Sequence, residues 1–260
     1  MLSRRESVIR TGFDGVALKP SKCDIRDAHG LVFDAVTIDY EGRQHLPDPE
    51  DIAELADEKI VRVTTPVRAD GFDPIGDDSL YSKLPEKVGH VLVAGHPTYL
   101  SEEEKRRRIA PRLRAALDRF SGSWVGTESV ERMALATGAT QFELLSGSTL
   151  REVRSLRDAG FAGEIAVYAP TVLTDEEDEI LDAVGSYVAR RKPVAKLLPE
   201  DTPTDRTATG YAREVLLKAS RDYALTGTPE AVSKKVEKLR ESGVDYVVGY
   251  PARGIDEFIF

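Results

Sequence analysis

The sequence predicts an α/β fold: a single (β/α)8 barrel of the TIM type, trimmed or irregular in its first and third helices. Three observations lead there. Eight short apolar runs alternate with amphipathic helical patterns along the chain. Several runs are apolar without polar alternation, as strands buried on both faces are. No G-x-G-x-x-G turn follows the first run, as an open dinucleotide-binding sheet would prefer. The 260 residues match one barrel of about 250, so residues 1–260 are read as a single domain.

The predicted strands are Gly15–Lys19, Ala35–Asp39, Ile60–Thr65, His90–Ala94, Ser123–Gly126, Gln141–Leu145, Glu164–Tyr168 and Asp245–Gly249. Residues 20–34, between the first two, hold at most a short helix. Residues 67–89 read as loop, and either they or a second subunit must cover the strands left bare there. A helix follows Ser101, with Glu102–Glu104 in its first turn, Arg106–Arg108 later, and a stripe of Ile109, Leu113, Leu117 and Phe120. Helices are expected near Thr127 and Thr149, ending before Gly138 and Gly160. Thr149-x-x-Glu152 and Thr174-x-x-Glu177 fit the capping-box pattern. The irregular stretch 192–207, with three prolines, precedes an extra helix near Ala208–Tyr223. Thr228-Pro229 marks the last helix start, and Gly243 its end.

Composition narrows the partners. Forty-five acids against 36 bases give a net charge of −9, which disfavours nucleic acid and anionic lipid. Among the bases 24 are Arg, and with the acid excess this reads as a salt-adapted, haloarchaeal-type or GC-rich source. The single Cys23 excludes an internal disulfide and Cys-rich metal sites. The four histidines show no H-x-H or H-E-x-x-H spacing, so no metal is expected, and no G-x-S-x-G elbow is present. With no signal-peptide or membrane-spanning run, a cytoplasmic location is expected.

Barrel ligands sit at the C-terminal strand ends. The residues there are Asp39, Tyr40, Thr64, Thr65, His96, Gly126, Thr127, Ser146, Gly147, Ser148, Thr149, Tyr168 and Tyr250–Gly254. Gly126-Thr127 and Ser146–Thr149 each lead from a strand into a helix start, where N–H groups and hydroxyls hold phosphate; alternatively, Thr127 and Thr149 simply cap those helices. His96 is placed to donate a hydrogen bond or transfer a proton, or else bonds backbone as a loop histidine. Asp39 serves acid–base chemistry or pairs with Arg62 or Arg68. The basic run Lys105–Arg108, with Arg112 and Arg114, reads as a solvated face.

The phrase Gly227-Thr228-Pro229-Glu230-Ala231-Val232, followed by Leu239 and Gly243-Val244-Asp245-Tyr246-Val247-Val248, is similar to the closing helix and strand of the luciferase-like family. That family includes bacterial luciferase, flavin-dependent monooxygenases and deazaflavin-dependent reductases. Asp34–Tyr40 resembles its second strand, and Val63–Arg68 resembles the third strand of the methylenetetrahydromethanopterin reductase branch. Trp124–Gly138 resembles its fifth strand and the helix whose start holds a cofactor phosphate. The resemblance implies an oxidoreductase with a deazaflavin or FMN at the barrel mouth. Asp39, Tyr40 and His96 would then be the polar groups nearest the reacting ring, with Thr64, Thr65, Gly126, Thr127 and Ser146–Thr149 holding the cofactor. It departs from the family in its short length, in Tyr40 where histidine is usual, and in Glu128 beside the phosphate position. Those departures favour a second reading, a barrel that keeps the fold without redox activity and acts as a binding or assembly protein. A small-molecule substrate or cofactor and a homodimeric state are the expected partners.

Overall fold

The computed structural model describes residues 4–68, 80–95 and 100–259. Its strands are β1 (Gly15–Leu18), β2 (Ala35–Ile38), β3 (Ile60–Pro66), β4 (Gly89–Val93), β5 (Trp124–Gly126), β6 (Gln141–Leu144), β7 (Ile165–Val172), β8 (Leu225–Thr226) and β9 (Tyr246–Pro251). β1 to β7 pair in chain order and in parallel, and β9 lies between β7 and β1. Eight strands therefore close into a barrel, a (β/α)8 barrel of the TIM type.

The helices are α1 (Arg4–Ile9), α2 (Pro49–Glu58), α3 (Glu102–Arg106), α4 (Ile109–Arg119), α5 (Glu131–Thr137), α6 (Thr149–Asp158), α7 (Glu177–Ala189), α8 (Lys192–Ala195), α9 (Gly210–Tyr223) and α10 (Pro229–Glu241). Among the described residues, the β1–β2 and β3–β4 connections carry only single 3-10 turns, Ile25–Gly30 and Tyr81–Lys83. These are the two places where a trimmed helix is expected. The bare strands are covered within the chain. Val36 and Ile38 of β2 and Val61 and Val63 of β3 pack with Ile25, Ile52, Leu55, Leu80, Tyr81 and Val88 in one buried cluster. That cover includes residues from the stretch 67–89; residues 69–79 lie outside the described residues.

Side chains alternate across each strand. Ala17, Val91, Trp124, Phe142, Ala166, Tyr168 and Val248 fill the barrel interior. At the N-terminal end, the Arg62 guanidinium lies 3.9 Å from the Trp124 ring centroid, and Tyr246 packs on the same indole at 5.4 Å. Phe258 stacks on Phe13 at 5.9 Å in the separate cluster on the outer face of the sheet. The N-terminal end is sealed by aromatic packing, which leaves polar chemistry to the other end.

Several local expectations are corrected. β7 continues to Val172, and its overhang pairs with β8, a strand not expected from sequence, on the edge that β6 has vacated. The helix after Ser101 is two helices, broken at Arg107 and Arg108, both of extended backbone. The cause is Pro111: lacking an N–H, it is tolerated in a first helical turn but not in an interior. The helix near Thr127 starts four residues later, at Glu131, and Thr127 does not cap it. Neither T-x-x-E box forms. Thr149 is already inside α6, which follows Ser148, and Thr174 accepts from the Glu176 N–H while α7 begins at Glu177. The Thr228 cap is made, accepting from the Ala231 N–H at 3.3 Å with Pro229 in the first helical position. Arg112 is no surface cation: it is buried and donates to the Val67 carbonyl at 2.6 Å.

Candidate functional site

The polar groups of the C-terminal mouth converge from five strands. Asp39 follows β2 and is positioned by its own N–H, which donates to the Leu18 carbonyl at 2.8 Å. Its Oδ2 accepts the hydroxyl of Tyr168, from β7 on the other side of the barrel, at 3.1 Å. Tyr250 of β9 stacks on Tyr168, with ring centroids 6.3 Å apart and 11° between planes. Lys19, just after β1, holds its ammonium 4.6 Å from the Tyr250 ring centroid. Thr64 of β3 joins this group, accepting from the Tyr40 N–H and reaching the Ile38 carbonyl at 3.4 Å.

The electrostatics follow from this packing. Burial pushes the Asp39 carboxyl up to about 6, against the lowering influence of Lys19 and the Tyr168 hydrogen bond. Burial and the neighbouring Asp39 charge push the Tyr168 phenol well up, so it stays a donor. Burial likewise pushes Tyr250 up to about 12. The site thus holds one carboxyl that exchanges its proton near neutral pH, a hydrogen-bond donor locked onto it, and an ammonium nearby. That set can carry a proton to or from a small oxygenated ligand.

Not every expected residue reaches this mouth. Thr65 points to the opposite face of β3, where it is buried and bonded to His90 Nδ1 at 2.9 Å. Asp39 pairs with neither arginine: Arg62 lies on Trp124, and Arg68 is bonded to Glu104 at 2.8 Å. His96 lies outside the described residues. Gly126 ends β5, and Thr127 beyond it lies 3.5 Å from the Phe142 carbonyl.

Ser146, Ser148 and Thr149 form a closed set of hydroxyl contacts. Ser146 Oγ is 3.0 Å from Ser148 Oγ and 3.1 Å from Thr149 Oγ1, and Thr149 Oγ1 lies 3.5 Å from Glu143. Gly147, between them, is exposed. Lys19, Tyr168 and Tyr250 were not assigned roles from sequence. Their position at strand ends was legible, but the bond that joins residues 39 and 168 spans 129 positions.

A closed parallel barrel with an acid, an ammonium and two stacked tyrosines at its C-terminal mouth defines the class to which this protein belongs, the (β/α)8 barrels with a mouth site. The sequence pattern of DUF7388, described as a family of unknown function, matches residues 8–258, and the chain belongs to that family. No curated protein matches it. Among solved structures, an F420-dependent secondary alcohol dehydrogenase in complex with an F420–acetone adduct is similar in fold. The two align over 92% of this chain and 94% of that one, with a TM-score of 0.54 and 11% identity.

Among the described residues no helix is long and apolar enough to cross a membrane, and no three His, Cys, Asp or Glu residues are grouped as metal ligands. Cys23, half-buried, has its thiol pushed up to about 11, first by burial, and so stays protonated.

Proposed function

We propose that the protein is an oxidoreductase that holds the ring of a deazaflavin, or of FMN, at the C-terminal mouth and acts there on a small oxygenated substrate. The observation that carries this reading is the Asp39–Tyr168 pair flanked by Lys19 and Tyr250, at the mouth of a barrel similar in fold to an F420-dependent alcohol dehydrogenase.

The residues present suit the ring end of such a group. Tyr168 and Tyr250 offer aromatic surface, and Lys19, Thr64 and the backbone at Tyr40 offer polar contacts. Gly126, Thr127, Ser146, Gly147, Ser148 and Thr149 would hold the phosphate. Glu143 stands beside Thr149 but, pushed up to about 7 by burial and by Glu152, is half protonated near neutral pH. A bound cofactor would supply hydride transfer; everything else falls to the chain. Asp39 takes or returns the proton at Oδ1 or Oδ2, the Tyr168 hydroxyl fixes the carboxyl's orientation, and Lys19 stabilises oxyanion character on the ligand. His96 and Thr65 belong to the sequence-based proposal, His96 as a further polar group at the mouth and Thr65 as a support acting through β3. A homodimer is likewise proposed, to be read by light scattering.

The second reading, a barrel without redox chemistry, draws support from Glu128, which stands directly after Thr127 and is held 3.5 Å from Arg191. Titration of the protein with F420 and with FMN, followed by absorbance, separates the two. Binding at micromolar concentration supports the first, together with loss of turnover of at least 100-fold in Asp39→Asn, about what removal of a general acid–base costs. No binding of either at about 100 µM, an affinity weaker than about −5.5 kcal/mol, overturns it and leaves the second.

A further inference from the structure

A cleft of about 670 Å³ lies on the outer face of β6, between α5 and α6. It adjoins the mouth at Thr127 and Ser146 and runs from there along the outside of the barrel. Phe142 of β6 packs in the barrel interior and Leu144 against it while also bordering the cleft, whereas Gln141 and Glu143 alternate to the other face and line the cleft. The volume falls within the range of small-molecule sites, about 300–1,000 Å³.

Two features of this cleft are unlike an ordinary helix–sheet layer. Its walls are apolar, with Leu135 from α5, Leu156 from α6 and Ile165 from β7, yet four carboxylates enter it: Glu128, Glu131, Glu143 and Glu152. The cation that lines it, Arg191, is held by Glu128 at 3.5 Å and lies over the Tyr187 ring. The second feature is Gln141, 2% exposed, which donates to the Ala134 and Ala139 carbonyls and leaves its buried Oε1 without a partner. A buried amide oxygen with no donor is costly, and a ligand N–H would satisfy it.

We infer that this cleft binds an organic cation: a primary or secondary amine on an apolar body, its ammonium between Glu143 and Gln141 and its body against Leu135 and Leu156. An ammonium brings up to three donors and no acceptor, which matches a carboxylate and an unpartnered amide oxygen. A carboxylate placed between Glu143 and Gln141 would instead meet like charge from Glu131, Glu143 and Glu152. The charged groups facing Glu143 are Glu131 on α5, Glu152 on α6, and the Glu128–Arg191 pair. Burial, and after it Glu152 and Glu131, push Glu143 up to about 7, so amine binding is expected to strengthen as pH rises from 6 to 8.

Calorimetric titration with hexylamine, hexanoate and hexanol at both pH values tests the assignment. Hexylamine is expected to bind at least tenfold more tightly than the other two, and Glu143→Gln to weaken it tenfold or more while circular dichroism stays unchanged. Should that variant misfold, Glu131→Gln serves in its place, with a smaller weakening. Equal binding of the three compounds, no binding of hexylamine at about 10 mM, a limit near −2.7 kcal/mol, or an unweakened variant overturns the inference. Because the cleft shares Thr127 and Ser146 with the residues assigned to the phosphate, flavin and F420 binding are read by absorbance without amine present, and hexylamine binding without cofactor binding, or the reverse, tells the two proposals apart.

Discussion

Asp39 and His90 show how one side chain's surroundings decide its chemistry. Both are enclosed, but His90 is stacked on Phe120 at 3.9 Å, bonded to Thr65, and driven down to about 4 by burial and then by Arg119. It remains a neutral core residue. Asp39 instead faces the mouth, with its carboxyl pushed up to about 6 by burial. The sign of its contribution to stability follows. A carboxyl whose value rises on folding from 3.8 to about 6 disfavours the folded state once ionised, so the cost is absent below pH 4 and complete above pH 6. Because Asp39 retains some solvent contact, the cost is about 1–2 kcal/mol rather than the full two-unit value. Asp39→Asn is therefore expected to stabilise the protein by that amount at pH 8 and to leave it unchanged at pH 4, as read from urea unfolding. An equal effect at both values would show that Asp39 is not desolvated.

Elements meet most closely where α7 packs on the segment before α9. A Cβ on Gly185 would come within 1.9 Å of the Thr204 carbonyl oxygen, so this helical glycine lets an irregular stretch lie against its helix. Leu181, Val188, Val194, Leu216 and Ala219 fill the rest of that contact. Gly185→Ala would improve helix propensity by about 1 kcal/mol but must push residues 203–205 away. A net loss of about 2–3 kcal/mol is expected, of the size that overpacking costs, seen as a lowered Tm. Unchanged stability would mean the segment yields freely.

Such contacts also show what could be read from sequence. The eight barrel strands were legible because each is a compact apolar run, and the Thr228-Pro229 start because both its signals act within four residues. β8 was not legible: two residues carry no periodicity, and it exists because β7 overhangs β6. The T-x-x-E matches misled because the hydroxyls of Thr149 and Thr174 found other partners nearby. At the site, Asp39 was readable as a polar strand end, but its partner across the barrel was not, since pattern within a strand says nothing about which strands face each other.

At the scale of the whole molecule, closure is what brings those strands face to face. β9 is the closing strand: it pairs with β7 from Ala166↔Tyr246 to Thr171↔Pro251 and with β1 at Gly15↔Val248 and Val16↔Gly249. Its Val247 and Val248 are buried, and the following Phe258 is fully buried against Phe13 and Phe33. Each such apolar side chain contributes about 1.5–3 kcal/mol, and the strand also satisfies two sheet edges that would otherwise stand open. These terms together are comparable to the whole net stability of a domain, about 5–15 kcal/mol. It also supplies Tyr250, so site and fold depend on the same six residues. A chain ending at Val244 is therefore expected to lose cooperative unfolding and near-ultraviolet dichroism and to aggregate through the exposed edges of β1 and β7. If that truncated chain stayed soluble and unfolded cooperatively, the barrel would be stable as an open sheet, and the Asp39–Tyr168 bond across it would need another explanation than closure.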